Sequence, residues 1–149
     1  MADDKKVAVG ADHAGFELKE KIKVILGELG YEVVDFGTNS TDSVDYPLIA
    51  KALATSVALK NPPKGILICG TGIGMSIAAN KIKGIIAAHC VDAETAKLAR
   101  LHNNSNILTI GGRTTSPNIV GEIVKTWLNT GFEGGRHQRR IQEIRDLER

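Results

Sequence analysis

Residues 67–76 read LICGTGIGMS, a short apolar run ending in Cys69 and then glycines at 70, 72 and 74. Three chemistries compete for such a loop. A dinucleotide cradle wants G-x-G-x-x-G after the first strand of a βαβ unit, with an acidic residue about 20 positions on. Here Met75 stands where the third glycine belongs, and two apolar strand-like runs precede the loop. A phosphate-binding P-loop closes with Gly-Lys-Ser/Thr, and no such ending is present. The remaining chemistry is a reaction site. Alternating glycines let backbone N–H groups converge, and the start of a following helix adds positive potential, which together hold a phosphate or an oxyanion. Cys69 at the loop's mouth is then either a thiol activated by its position near a helix N-terminus or a small buried hydrophobe.

Other polar residues weigh on that choice. Asp12 and His13 end the first strand-like run, in DHAG, and Arg113 follows the fifth. In a parallel sheet all three share the carboxyl edge with Cys69, where open α/β sheets place their ligands. Singly each has a structural role to fall back on: a helix cap, a loop histidine, a solvated turn. Jointly an acid, an imidazole, a thiol and a guanidinium make a site for an anionic substrate. His102-Asn103-Asn104 falls between a helix and the fifth strand, at the opposite, amino edge. Arg136 and Arg140 lie four residues apart, on one helical face, as a solvated basic patch or a phosphate clamp. His89-Cys90 lacks partner ligands nearby in sequence and reads as a plain strand end.

The elements that must position these groups alternate regularly. Lys6–Ala11, Tyr31–Phe36, Gly65–Cys69, Ile85–His89 and Ile107–Ile110 read as strands. Between them come a helix bearing Leu18, Ile22, Ile25 and Leu29, one from Tyr46-Pro47 bearing Ile49, Leu53 and Val57, a short one over Met75–Lys81, and one capped by Asp92. Ser116-Pro117 starts a fifth helix, with Ile119, Ile123, Val124, Trp127 and Leu128 as its inner face. Parallel strands joined by crossover helices predict an α/β fold of the Rossmann-like or flavodoxin-like kind, a five-stranded parallel sheet with helices on both faces. The expected organisation is one domain over residues 1–149, an αβ core over 1–130 and a C-terminal helix over 136–149. That last helix carries only Ile141, Ile144 and Leu147 as an apolar stripe and is expected to leave its domain and pack on a partner subunit.

Composition narrows the function classes. Nineteen basic and 17 acidic side chains leave a net charge of +2 over 149 residues, which argues against nucleic acid or a membrane surface as partner. No apolar run reaches the roughly 18 residues of a membrane span, and no apolar segment follows MADDKK as a signal peptide requires. The two cysteines form no CxxC pair, so neither a disulfide framework nor a zinc site is expected. The expected compartment is the cytoplasm. A phosphorelay receiver of similar architecture needs an aspartate after its third strand and a lysine after its fifth, where this chain has Cys69 and Gly111-Gly-Arg113.

ADHAGFELKE, DFGT, VDYP, ILICGTGIGMSIAANK, LARLHNNSNIL and FEGGRHQRRI, spread in order over the chain, resemble the type B ribose-5-phosphate isomerases. Their wider family includes galactose-6-phosphate isomerase subunits. The resemblance implies an aldose–ketose isomerase working as a dimer with no metal or nucleotide, and no cofactor is expected. Because Cys69 and His102 fall at opposite edges of one sheet, sites shared between the subunits of a homodimer, or of a tetramer, are expected. By position it makes Cys69 the base between C1 and C2. The amides of Gly70, Thr71, Gly72, Ile73 and Gly74, with the Thr71 hydroxyl, would hold the enediolate. His102 would open the sugar ring and Asn103 bind the intermediate; Asp12 and Tyr46 would meet sugar hydroxyls. His13, Arg113, Arg136 and Arg140 would surround the phosphate. One branch of the family uses a glutamate base in the slot of Met75, which cannot take a proton, so the chain falls with the cysteine branch. Allose 6-phosphate and galactose 6-phosphate are the competing substrates, and a non-catalytic sugar-phosphate-binding subunit is the competing role.

Overall fold

In the computed structural model, which describes residues 2–148, the central strands are buried almost throughout and their side chains alternate between the two faces, as in a sheet covered on both sides. Strand β1 (Lys6–Ala11) sends Val7, Val9 and Ala11 to one face and Ala8 to the other. Strand β3 (Gly65–Cys69) divides Ile66 and Ile68 from Leu67 and Cys69 in the same way. Helices α1 (Phe16–Glu28), α4 (Ala93–Leu101) and α5 (Pro117–Asn129) cover the first face, around Ile22, Leu26, Ile123 and Trp127. Helices α2 (Tyr46–Ala58) and α3 (Ile73–Ala79) cover the second, around Leu53, Val57 and Met75.

The remaining strands are β2 (Glu32–Asp35), β4 (Ala87–His89) and β5 (Ile107–Gly111). All pairings are parallel, in the order β2-β1-β3-β5-β4. This is the expected doubly wound sheet with one difference from the flavodoxin order 2-1-3-4-5: the last two strands are exchanged. The exchange puts the fully buried β5 inside the sheet and leaves the half-buried β4 at its edge.

Local departures from the expected elements have local causes. Strand β4 begins at Ala87 rather than Ile85, because side-chain amides take over the backbone there. Asn106 Oδ1 accepts from Ile86 N at 2.9 Å, and Asn80 brackets Ala87 with bonds of 2.8 and 3.0 Å. On α5 the inner face runs through Val120, fully buried, while Ile119 is 36% exposed. The Asp92 cap is present, with Asp92 and Thr95 bonding each other's backbone.

The C-terminal helix α6 (Arg136–Arg145) does not stand away from its own domain. Gly134 and Gly135, both at positive φ, turn the chain back, and Ile141 is buried at 3% exposure. Ile144 and Leu147 stay exposed beside a groove of about 750 Å³ lined also by Ile82, Ile85, Ala87 and Asn103. Arg149, the last residue of the expected helix, and Met1 lie outside the described residues.

Candidate active site

The carboxyl edge gathers most of the chemistry. Cys69 ends β3 at 4% exposure, and its Sγ accepts the Gly72 N–H at 3.2 Å. That bond depends on a left-handed Gly72, φ +81°. A Cβ at this position would stand 2.7 Å from the His89 ring and 2.8 Å from the Ile110 carbonyl carbon, so only glycine fits. At Gly74 a Cβ would meet the Tyr46 ring at 2.5 Å, which places the hydroxyl end of that tyrosine against the loop. Ile73 N donates to Thr71 Oγ1 at 3.2 Å.

Two expectations for the cradle change. The N–H groups of Gly72 and Ile73 are engaged by Cys69 and Thr71. Those of Gly70, Thr71 and Gly74 donate to no acceptor among the described residues, and they are the groups open to an oxyanion. Helix α3 has only seven residues, so fixed N–H groups rather than a helix dipole supply the positive potential.

Neighbouring strands bring the other groups to the loop. Arg113 N donates to Gly70 O at 2.9 Å and Gly112 N to Cys69 O at 2.8 Å, fastening the turn after β5 to the loop after β3. The Arg113 side chain passes beside Gly70. Asp12, 5% exposed, takes one step from β1 towards β3 by donating its N–H to Ile68 O. Its Oδ1 accepts from Gly15 N at 3.1 Å, so it caps the turn into α1 as well as facing the edge. His13 Nδ1 accepts from Val44 N at 3.2 Å, which puts the imidazole proton on Nε2. His13, Arg113, Glu17 and Thr41 line a cleft of about 350 Å³, sized for a phosphate and part of a sugar.

His102 and Asn103 are at the amino edge, as their place between α4 and β5 requires. Arg136 and Arg140, both exposed, belong to that edge too: they add to the field on His137, whose ring stacks on His102. The span from Gly65 to Cys69, paired with Ile107 to Gly111, is about 13 Å of strand at roughly 3.3 Å per residue. Proton transfer works at about 3 Å. One chain therefore holds the two groups of candidate residues at opposite ends of its sheet, too far apart to act on one proton.

A model of the family described as "Ribose/Galactose Isomerase" matches residues 7–144. The chain belongs to this family. It is 47% identical over 144 residues to ribose-5-phosphate isomerase B of Escherichia coli, covering 97% of each chain. To a putative sugar phosphate isomerase of Bacillus subtilis it is 49% identical, over 96% of this chain and 97% of the relative. Among solved structures, a ribose 5-phosphate isomerase of Thermotoga maritima superposes at TM-score 0.93 with 51% identity, covering 95% of this chain and 98% of that one. Ribose-5-phosphate isomerase B of Mycoplasma genitalium, with ribulose 5-phosphate bound, superposes at 0.91 with 43% identity, covering 95% and 94%.

Sequence reasoning passed over two supports of the site. His89 reads as a strand end, yet its ring packs under Gly72 and its Nδ1 lies 3.3 Å from Thr109 Oγ1. The close approach of a glycine was the available signal, but nothing local to His89 announces it. Lys19, inside an amphipathic helix pattern, is completely buried and reaches both Asp35 oxygens, at 2.8 and 2.7 Å. Only the register between α1 and β2 reveals that pairing.

Proposed function

We propose that the chain interconverts ribose 5-phosphate and ribulose 5-phosphate as a two-fold dimer, each site joining the Cys69 edge of one subunit to the His102 edge of the other. The observation that carries the reading is the Cys69 sulfur seated on the Gly72 N–H, beside unengaged N–H groups and the His13–Arg113 cleft. An N–H bond to sulfur strengthens as the sulfur gains charge, and fixed donors stabilise charge that develops on a substrate oxygen. Relatives named as ribose-5-phosphate isomerases match nearly the full chain.

In the proposed reaction His102 of the partner subunit protonates the ring oxygen as the C1–O bond breaks, while the C1 hydroxyl releases its proton to solvent. The Cys69 thiolate then removes the proton from C2 and returns it to C1, while the O2 hydroxyl proton passes to O1, which leaves the ketone at C2. The enediolate oxygens lie on the N–H groups of Gly70 and Thr71 and on the Thr71 hydroxyl. Asp12 and Tyr46 meet the sugar hydroxyls, and Asn103 joins them across the interface. His13 and Arg113 hold the phosphate from one side. Arg136 and Arg140, from the other subunit, close over it with charge-assisted bonds. No step calls for a metal or an organic cofactor.

The test is steady-state turnover of ribose 5-phosphate, allose 6-phosphate and galactose 6-phosphate by the wild type and by Cys69→Ser. Ribose 5-phosphate is expected to give the highest kcat/KM, and the variant to lose roughly 100-fold or more, the usual worth of a positioned base. A folded variant with near-wild-type turnover would return Cys69 to a packing role. Faster turnover of a six-carbon substrate would reassign the substrate within the family.

A further inference from the structure

The amino edge holds side chains that the proposed reaction leaves without a role. The rings of His102 and His137 are stacked, centroids 4.3 Å apart and planes within 17°. Glu133 Oε2 faces both, 3.8 Å from His102 Nε2 and 3.7 Å from His137 Nε2. His137 is 6% exposed, and its Nε2 is buried with no hydrogen-bond partner among the described residues.

Two imidazoles and a carboxylate within 4.8 Å of one another are a familiar donor set for zinc. The ring geometry does not serve one. Imidazole binds a metal in its own plane, and near-parallel stacked rings aim their lone pairs side by side instead of at a common point. The same arrangement suits the handling of one proton. A carboxylate facing Nε2 decides which nitrogen carries it, as in other enzymes where an acid orients a working histidine. Stacking on a buried neighbour fixes the ring's plane.

We propose that Glu133 and His137 are positioning residues for His102: Glu133 fixes its tautomer, with the proton on Nε2, and His137 fixes its orientation for ring opening. The proton given to the ring oxygen is then a second one, carried on Nδ1 of the charged ring, while Nε2 keeps its own against Glu133. The inference rests on the ring-opening role of His102. The present distances are ion-pair contacts about 1 Å longer than a hydrogen bond. Glu133 is half exposed, and a small side-chain shift closes the gap to either ring.

The surroundings favour this division of labour. Burial, with help from His102, Arg136 and Arg140 and against Glu133, holds the His137 pKa below its ordinary value. A neutral ring beneath His102 lets that residue carry a proton without a stacked like charge. The backbone is pinned on both sides. Glu133 N donates to Leu101 O at 3.0 Å. The buried Arg100 bonds Thr130 O at 3.0 Å, Asn104 Oδ1 at 3.0 Å and Ser105 O at 2.6 Å. Arg100 thus ties the loop that carries Glu133 to the turn that carries His102.

The test is the primary kinetic isotope effect on kcat with ribose 5-phosphate deuterated at C2, measured for Glu133→Gln, His137→Gln and, as reference, His102→Asn. Circular dichroism checks that each is folded. Ring opening breaks no C–H bond, so slowing it masks the isotope effect. Both positioning variants are expected to lose about tenfold or more in kcat, a modest share of what orienting a working histidine is worth in other enzymes, with the isotope effect falling towards unity. If the wild-type effect is already at unity, it should stay there. Unchanged kcat in both variants, or a loss with an isotope effect above unity that is undiminished or larger than in the wild type, would overturn the proposal. Such an effect in slow His102→Asn would instead overturn the ring-opening role of His102, so the two failures are separable. Should one glutamine variant fail to fold, the other carries the measurement.

Discussion

At the residue scale the site turns on one sulfur and one backbone N–H. The bond between Cys69 Sγ and Gly72 N forms only while Gly72 keeps its left-handed turn over the His89 ring and the Ile110 backbone. Gly72→Ala adds a methyl where the ring and backbone lie 2.7–2.8 Å away. It also asks an alanine to hold positive φ, at a cost of about 1–3 kcal/mol. The expected result is a lower melting temperature and a larger relative loss in kcat than in KM, because the displaced N–H serves the thiolate rather than the phosphate. Thermal melts and steady-state kinetics on one preparation decide it; unchanged kcat in a destabilised variant would separate Gly72 from the chemistry. The alternation of glycines was legible in the sequence, and so was the place of Cys69 at a strand's end. Which N–H groups remain open was not legible, because that depends on Thr71 and Cys69 folding back on their own loop.

Among the elements, the joint of α1 with β2 governs the loop that frames the cleft. Lys19, wholly buried, meets Asp35 at 2.7 Å and Glu20 at 3.1 Å, and Lys23 meets Asp35 at 2.8 Å. Asp35 Oδ1 also accepts from Gly37 N. The next backbone bonds, between Ala11 and Gly37 and between Thr38 and Ala11, dock the following loop against β1. That loop carries Thr41 and Val44 to the cleft and to His13. Burial raises the Asp35 pKa, but hydrogen bonds from Lys19 and Lys23 outweigh it, so the folded value lies below the ordinary one. A depressed carboxylate contributes stability above its unfolded pKa, near 3.9, and loses it as pH falls through the folded value. Asp35→Asn is therefore expected to cost about 2 kcal/mol at neutral pH, less than a fully buried pair because Asp35 is partly exposed and Glu20 remains. The deficit should shrink as the pH drops below about 4. Melting curves across that range check it, and a pH-independent deficit would contradict the account. The helix-strand alternation itself followed from periodicity alone. The exchange of β4 and β5 did not, since it reflects which strand the completed sheet buries on both faces.

For the whole molecule the decisive fact is separation. Cys69, Asp12, His13, Tyr46 and Arg113 group with the carboxyl edge, while His102, Asn103, Arg136 and Arg140 group with the amino edge, about 13 Å of strand away. The parallel connection sense alone places Cys69, Asp12, His13 and Arg113 at one edge and His102 and Asn103 at the other, which is why these two groups were legible in the sequence; the places of Tyr46, Arg136 and Arg140 were not. The docking of α6 on its own domain was not, because a stripe of Ile141, Ile144 and Leu147 does not say which surface receives it. Ile141 is buried within the chain, and Ile144 and Leu147 remain beside Asn103 and the open groove. A two-fold axis that brings one amino edge over the other carboxyl edge would complete two equal sites. The most direct test unfolds Cys69→Ala and His102→Ala together and refolds the mixture. In each mixed dimer one shared site collects both defects and the other neither, and random pairing makes half the dimers mixed. The expected activity on ribose 5-phosphate is about a quarter of wild type, from two variants each inactive alone. No recovery, with mixed dimers shown to form, would contradict the shared site.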